Sequence, residues 1–219
     1  MSEQMLDSEQ LRQAFRFIAG AMKERSDDLR ELDAACGDGD LGVTVTKGFS
    51  AIENRLDELK GEPSGRLLKT LGMTFNNAAA STFGVFFATA CMYAGKSIDD
   101  KDSISVKDFC AMLNAASEGV ATRGRSKVGD KTILDALVPA QQAAEAAADN
   151  GQAWGDVLAA ATEAARQGAE DTRGLVPKAG RARWLGEQVR ESQDPGATFV
   201  YLFLDACQHA FDDVSEAQP

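Results

Sequence analysis

Three carboxylates, Asp33, Asp38 and Asp40, fall within eight positions in the stretch Asp33-Ala34-Ala35-Cys36-Gly37-Asp38-Gly39-Asp40-Leu41-Gly42-Val43-Thr44. Oxygen donors this crowded suit a hard divalent cation such as Mg²⁺ or Ca²⁺, because without one the charges repel. Gly37 and Gly39 allow the backbone between them to turn tightly. From Thr44 to Leu59 the apolar spacing of Val45, Phe49, Ile52 and Leu56 predicts a helix, whose positive end faces the same turn. A cation beside a helix N-terminus is a place for a magnesium-bound phosphate. A solvated acidic turn that merely caps a helix fits the same residues. An EF-hand does not: with Asp38 first and Asp40 third, the bidentate acid at the twelfth position would be Phe49.

Two basic stretches could complement that turn. Gly124-Arg125-Ser126-Lys127-Val128-Gly129-Asp130-Lys131-Thr132 nearly spells a P-loop, but Asp130 stands where the lysine should follow the second glycine, and the flanks read helical. A Walker fold is thereby excluded, leaving a glycine-flanked basic loop that cradles phosphate or a plain helix–helix turn. Gly180-Arg181-Ala182-Arg183, with Lys178, Arg190 and Asp194-Pro195-Gly196-Ala197, offers arginines that could neutralise phosphate oxygens, or a solvated basic face. Asp194 before Pro195 also reads as an ordinary helix cap. His209, the single histidine, lies far from these motifs in sequence and takes no role, and multi-histidine zinc sites are excluded. What remains is carboxylate–metal chemistry on phosphate.

The elements that must hold these residues read as helices almost throughout. Ser8 is the predicted N-cap of a first helix bearing Leu11, Phe15, Ile18 and Met22, and Ser26 opens a shorter one that delivers Asp33 to the acidic turn. After Thr44–Leu59 come Ser64–Ala80, then Phe83–Ala94, apolar almost all round and therefore expected to be the most buried helix. Asp99, Asp100 and Asp102 mark a polar connector. Ser105–Arg123, Thr132–Asp149 with a bend at Pro139, and Trp154–Glu170 follow. Pro195 sits where a first-turn proline belongs, opening the helix Gly196–Val214, with a frayed tail beyond. No strand pattern, repeat or composition break appears, so residues 1–219 are expected to form one all-α domain, an up-and-down bundle of about eight antiparallel helices.

The chain has 219 residues, 44% hydrophobic content and a formal net charge of −11, which argues against nucleic acid or an anionic membrane surface as partner. Phosphate ligands stay open where metal ions bridge the like charges. Cys36, Cys91, Cys110 and Cys207 show no metal-knuckle spacing and read as reduced thiols of a cytoplasmic protein. Met1 to Asp7 lacks the order of a signal peptide, and no apolar run approaches a membrane span.

Taken in order, the motifs resemble the DhaL family, the nucleotide-binding L subunits of dihydroxyacetone kinase. The matching blocks are Asp33 with Gly37-Asp38-Gly39-Asp40, then Gly129-Asp130-Lys131-Thr132-Ile133-Leu134-Asp135-Ala136-Leu137 with Pro139. Gly180-Arg181-Ala182 with Leu185-Gly186-Glu187 and Asp194-Pro195-Gly196-Ala197 complete them. The resemblance implies an eight-helix barrel that binds ADP or ATP through two Mg²⁺ ions at one end, with Asp33, Asp38 and Asp40 as metal ligands. Leu41, Gly42, Val43 and Thr44 would lie against the phosphates, Gly124 and Ile133 would line the nucleotide, and Arg181 would contact phosphate. Asp194, Pro195 and Gly196 would close over it. In the family the sugar is held on a separate K subunit, so the L subunit contributes positioning and charge neutralisation.

Three departures from the family pattern stand out. Leu41 replaces a histidine or threonine. Ala79-Ala80-Ser81-Thr82 occupies the place of a Ser-Gly-Pro-Leu phosphate loop, which puts Ala79 and Ala80 beside the nucleotide. Arg190-Glu191-Ser192-Gln193 replaces a Gly-His-containing approach to Asp194. The resemblance makes the chain an enzyme subunit that phosphorylates dihydroxyacetone or a related short keto-sugar on a K-type partner. Its nucleotide would be either a tightly kept ADP recharged by a phosphotransferase-system M subunit or exchangeable ATP. The departures motivate a rival, a nucleotide-dependent partner of a transcriptional regulator. A homodimer is left open.

Overall fold

The computed structural model describes residues 4–99 and 101–216. Nine α-helices account for most of them: α1 (Ser8–Glu24), α2 (Ser26–Cys36), α3 (Leu41–Arg55), α4 (Ser64–Ala78), α5 (Thr82–Ser97), α6 (Val106–Gly124), α7 (Leu134–Asp149), α8 (Trp154–Glu170) and α9 (Pro195–Glu216). Eight of them close a ring in the order α1, α3, α4, α5, α6, α7, α8, α9, and α9 returns to α1. The fold is the expected all-α bundle. The ninth helix, α2, stands outside the ring against α3 and carries Asp33.

Phenylalanines fill the ring beneath one end. Phe49 of α3 sits 5.3 Å from Phe75 of α4 and 5.7 Å from Phe87 of α5, in edge-on geometries that aromatic quadrupoles favour. Phe199 and Phe203 of α9 stack on the same group. Toward the other end, Trp154 packs between Phe109 and Phe211.

Several boundaries differ from the periodicity reading. A short antiparallel pairing, β1 (Leu6–Asp7) with β2 (Ser103–Ile104), holds the entry to α1 extended. Asp7, rather than Ser8, is therefore the N-cap: its carboxylate accepts the Gln10 N–H at 2.8 Å while the Gln10 side chain accepts the Asp7 N–H at 2.9 Å. Such a reciprocal box satisfies two otherwise orphaned donors, and Asp7→Ala is expected to cost about 1 kcal/mol in a denaturant melt. Helix α5 is not the most buried: Met92 and Tyr93 are exposed on its outer face. That place belongs to α9, where no residue from Pro195 to Gln208 is exposed, because α8, α1 and the ends of α7 and α2 cover it. Pro139 lies inside α7, and the helix runs on past it. Asp100 and the tail beyond Glu216 lie outside the described residues.

Candidate functional site

The acidic turn is built by local packing. Asp33 lies in the last turn of α2, and Asp38 and Asp40 lie on the four-residue link to α3. Gly39 makes the reversal with φ +72°, a left-handed conformation that side chains disfavour. The two helices then touch backbone to backbone: a Cβ on Gly42 would stand 2.3 Å from the Ser26 carbonyl oxygen and 2.7 Å from the Arg30 Cβ. This contact brings Asp33 to the turn, where its Oδ2 accepts the Leu41 N–H at 3.0 Å. That bond starts α3 at Leu41, three residues before the expected Thr44.

Ligand oxygens of Asp33, Asp38 and Asp40 all lie within 4.8 Å of one another. Partial burial, with the charge of Asp33 second, pushes the Asp40 carboxyl above its usual range. Three carboxylates offering only oxygen fit a hard divalent cation. The Arg181 guanidinium pairs with Asp38 and stands 3.7 Å from Asp40. Both sides of these pairs are half-exposed, so each contributes about 0–1 kcal/mol and a divalent ion could displace the arginine.

A cleft of about 370 Å³ opens beside the triad, within the range of small-molecule sites. Its walls include Leu41 and the three carboxylates, Gly124 and Ile133, Arg181, and Asp194, Pro195 and Gly196. Residues scattered over the whole sequence thus converge on one cleft. Gly42, Val43, Thr44, Ala79 and Ala80 do not line it. Gly42 is spent on the α2 contact, Val43 faces solvent, and Thr44 is buried with its N–H on the Asp40 carbonyl at 2.9 Å. In place of the two alanines, Ser81, Thr82, Phe83 and Phe86 form the wall. Ser81 caps α5 by accepting the Gly84 N–H at 3.0 Å, so the positive end of α5 points into the cleft. Phe83 rests on Phe199, 4.5 Å away. A serine directly before a long apolar helix was the available signal for this wall.

Asp194 is buried and caps α9, accepting the Ala197 N–H at 2.7 Å. Burial raises its carboxyl to about 7; the Asp135 charge adds to the rise, and the cap hydrogen bonds and Lys131 oppose it. With the folded value above the unfolded one, its protonation stabilises the fold fully below about pH 4, and this contribution is lost as pH rises through about 7. Asp194→Asn keeps the cap acceptor without the titration. Wild-type Tm is therefore expected to fall relative to Asp194→Asn by several degrees between pH 4 and pH 8, read by calorimetry.

Of the basic loop, read as a phosphate cradle or a plain turn, Gly124, Ser126, Lys131 and Thr132 line the cleft, and Lys131 has its ammonium engaged. It is 2% exposed, and its ammonium donates to the carbonyls of Leu175, Val189, Arg190 and Ser192 at 2.6 to 3.1 Å. Burial pushes its pKa down. Asp135, also buried, sets this loop by accepting the Gly129 and Thr132 N–H groups at 2.6 and 2.7 Å.

The DAK2 domain model matches residues 35–209. The ADP-binding subunit DhaL of the PEP-dependent dihydroxyacetone kinase of Escherichia coli is 30% identical over 82% of this chain and 85% of its own length. The corresponding subunit of kinase 2 of Listeria innocua is 28% identical over 94% and 95%. Among solved structures, the dihydroxyacetone kinase of C. freundii in its native form superposes with a TM-score of 0.68 at 25% identity, over 90% of this chain and 33% of that one. The same kinase solved with AMP-PNP and Mg²⁺ gives a TM-score of 0.68 at 22% identity, over 95% and 35%. The chain thus spans about a third of that kinase but most of the two bacterial subunits. With a family model over residues 35–209 and a relative at 30% identity across most of both chains, this chain belongs to the DhaL family of DAK2-domain proteins.

Proposed function

We propose that this chain is the nucleotide-binding subunit of a multi-subunit kinase acting on dihydroxyacetone or a related short keto-sugar. The observation that carries the reading is the carboxylate triad on the wall of a cleft that Arg181 and the N-terminus of α5 also face. Asp33, Asp38 and Asp40 would hold two Mg²⁺ ions, which supply charge neutralisation to the phosphates of ADP or ATP. Arg181 would leave the triad and meet phosphate oxygens, for which its planar fork is suited. Phe83, Phe86 and Ile133 give the other end of the cleft an apolar wall that excludes water from the nucleotide. Asp194 and Pro195 would fix the nucleotide side of α9. The acceptor would be carried by a separate K-type subunit in the cytoplasm.

Phosphoryl transfer asks chiefly for positioning and charge neutralisation, which these groups can supply. Recharging of a retained ADP by a phosphotransferase-system M subunit, or exchange with free ATP, completes the cycle. The test mixes this protein with a K-type subunit, Mg²⁺, ATP and dihydroxyacetone. Sugar phosphate forming over many turnovers supports the kinase reading with exchangeable ATP. A single turnover with ADP kept on the protein supports recharging by the M subunit. No transfer, with ATP or with the M subunit and its donor, contradicts the reading.

A further inference from the structure

Two arms lead into and out of the basic segment that carries Arg181. The first runs from Thr172 to Leu175 and the second from Val189 to Gln193. Their mutual contacts are mostly exposed: Gly174 and Arg190 exchange two hydrogen bonds, each 2.9 Å, and Arg173 reaches Glu191 and Gln193 at 3.2 Å. Water competes for every one of these. Two links are buried: the Thr172 hydroxyl accepts the Asp194 N–H at 2.9 Å, just past the second arm, and the larger one gathers both arms at once. One carbonyl from the first arm and three from the second converge on a single ammonium, that of Lys131. Three N–H donors shared by four carbonyl oxygens resemble a bound monovalent cation, tethered by a side chain. The backbone of Lys131 takes φ +59° to present it, an unfavourable conformation for a residue with a side chain. Among the described residues no carboxylate hydrogen-bonds the ammonium, so the carbonyls supply its hydrogen bonds while the Asp194 charge acts on it from farther off.

We propose that Lys131 is a positioning residue: its ammonium is the anchor around which residues 172–193 fold, and through that segment it sets Arg181 over the acidic triad. Removing the charge takes a donor from all four carbonyls: those of Val189 and Arg190 keep the Ser192 and Gly174 N–H groups, at 3.2 and 2.9 Å, whereas those of Leu175 and Ser192 lose their partner, and the exposed links between the arms are weak against water. The two arms then part, and Arg181, which hangs between them, loses its place. Anchoring of the segment stands on the hydrogen bonds alone; its consequence for phosphate rests on the nucleotide reading above.

Hydrogen exchange and Mg-ADP titration of Lys131→Met, Arg181→Ala and the double variant provide the test. In Lys131→Met, amides of residues 172–193 are expected to exchange about tenfold faster or more, while the helices of the ring keep their protection. Mg-ADP affinity should fall to that of Arg181→Ala, and the double variant should be no weaker than either, because Lys131 acts through Arg181. Unchanged exchange in residues 172–193, or fully additive losses, would overturn the proposal. If Lys131→Met does not fold, Lys131→Ala titrated with ethylammonium decides. Recovered protection of residues 172–193 supports the anchor, and none at any concentration overturns it. Faster exchange in a protein whose wild type ignores Mg-ADP would leave the anchor standing and remove only the nucleotide reading.

Discussion

Asp38→Asn is expected to abolish Mg-dependent ADP binding while leaving the helical ring folded. The variant keeps the shape of the side chain and removes one of three charges whose oxygens lie within 4.8 Å of one another. A hard cation held by carboxylates depends on that charge, so the loss should exceed a hundredfold, or about 3 kcal/mol or more. Metal-free stability should move the other way or not at all. The mutation relieves repulsion with Asp33 and Asp40, against the loss of a half-exposed pair with Arg181 worth about 0–1 kcal/mol. Titration calorimetry and a thermal melt of the same sample separate the two effects. Wild-type affinity in the variant would mean that the triad is an acidic helix cap and nothing more.

Gly42→Val should damage the fold and the site together. A Cβ at this position would stand 2.3 Å from the Ser26 carbonyl oxygen, a distance that backbone atoms cannot relieve without moving α2 off α3. Overpacking of this kind costs about 2–3 kcal/mol. The same shift breaks the bond from the Leu41 N–H to Asp33 and carries that carboxylate away from Asp38 and Asp40. A lowered Tm with no detectable Mg-ADP binding is therefore expected, and Gly42→Ala should show a smaller version of both. Wild-type melting in Gly42→Val would show that the helix contact is looser than described.

These two residues also mark what the sequence could reveal. Asp38 was legible because its neighbours in space are its neighbours in the chain: a helix end, a glycine turn and a helix start fix three carboxylates locally. Arg181 and Asp194 were legible only through the order of their motifs, since nothing in their own segments points at a turn more than 140 positions away. Gly42 was placed near phosphate by the resemblance alone; that α2 packs against its hydrogen atom is a contact no local pattern announces. Nothing in the sequence of the basic loop, read as a phosphate cradle or a plain turn, shows that four carbonyls take the Lys131 ammonium. Exposed Met92 and Tyr93 show why an all-apolar helix need not be the innermost one. Ring order and the place of α2 depend on long-range packing that periodicity does not encode.

The chain's net charge of −11 poses a question for any phosphate ligand. Its resolution is local: Arg181 faces the triad, the α5 N-terminus opens on the cleft, and Lys131 fixes the segment that carries the arginine. Metal ions would supply the remaining positive charge.

Calorimetric titration of metal-stripped protein with ADP, with and without Mg²⁺, decides whether the triad serves a nucleotide. Tight binding is expected with Mg²⁺ and little or none in its absence. Equal binding in both conditions, or none in either, would contradict a metal-dependent nucleotide site.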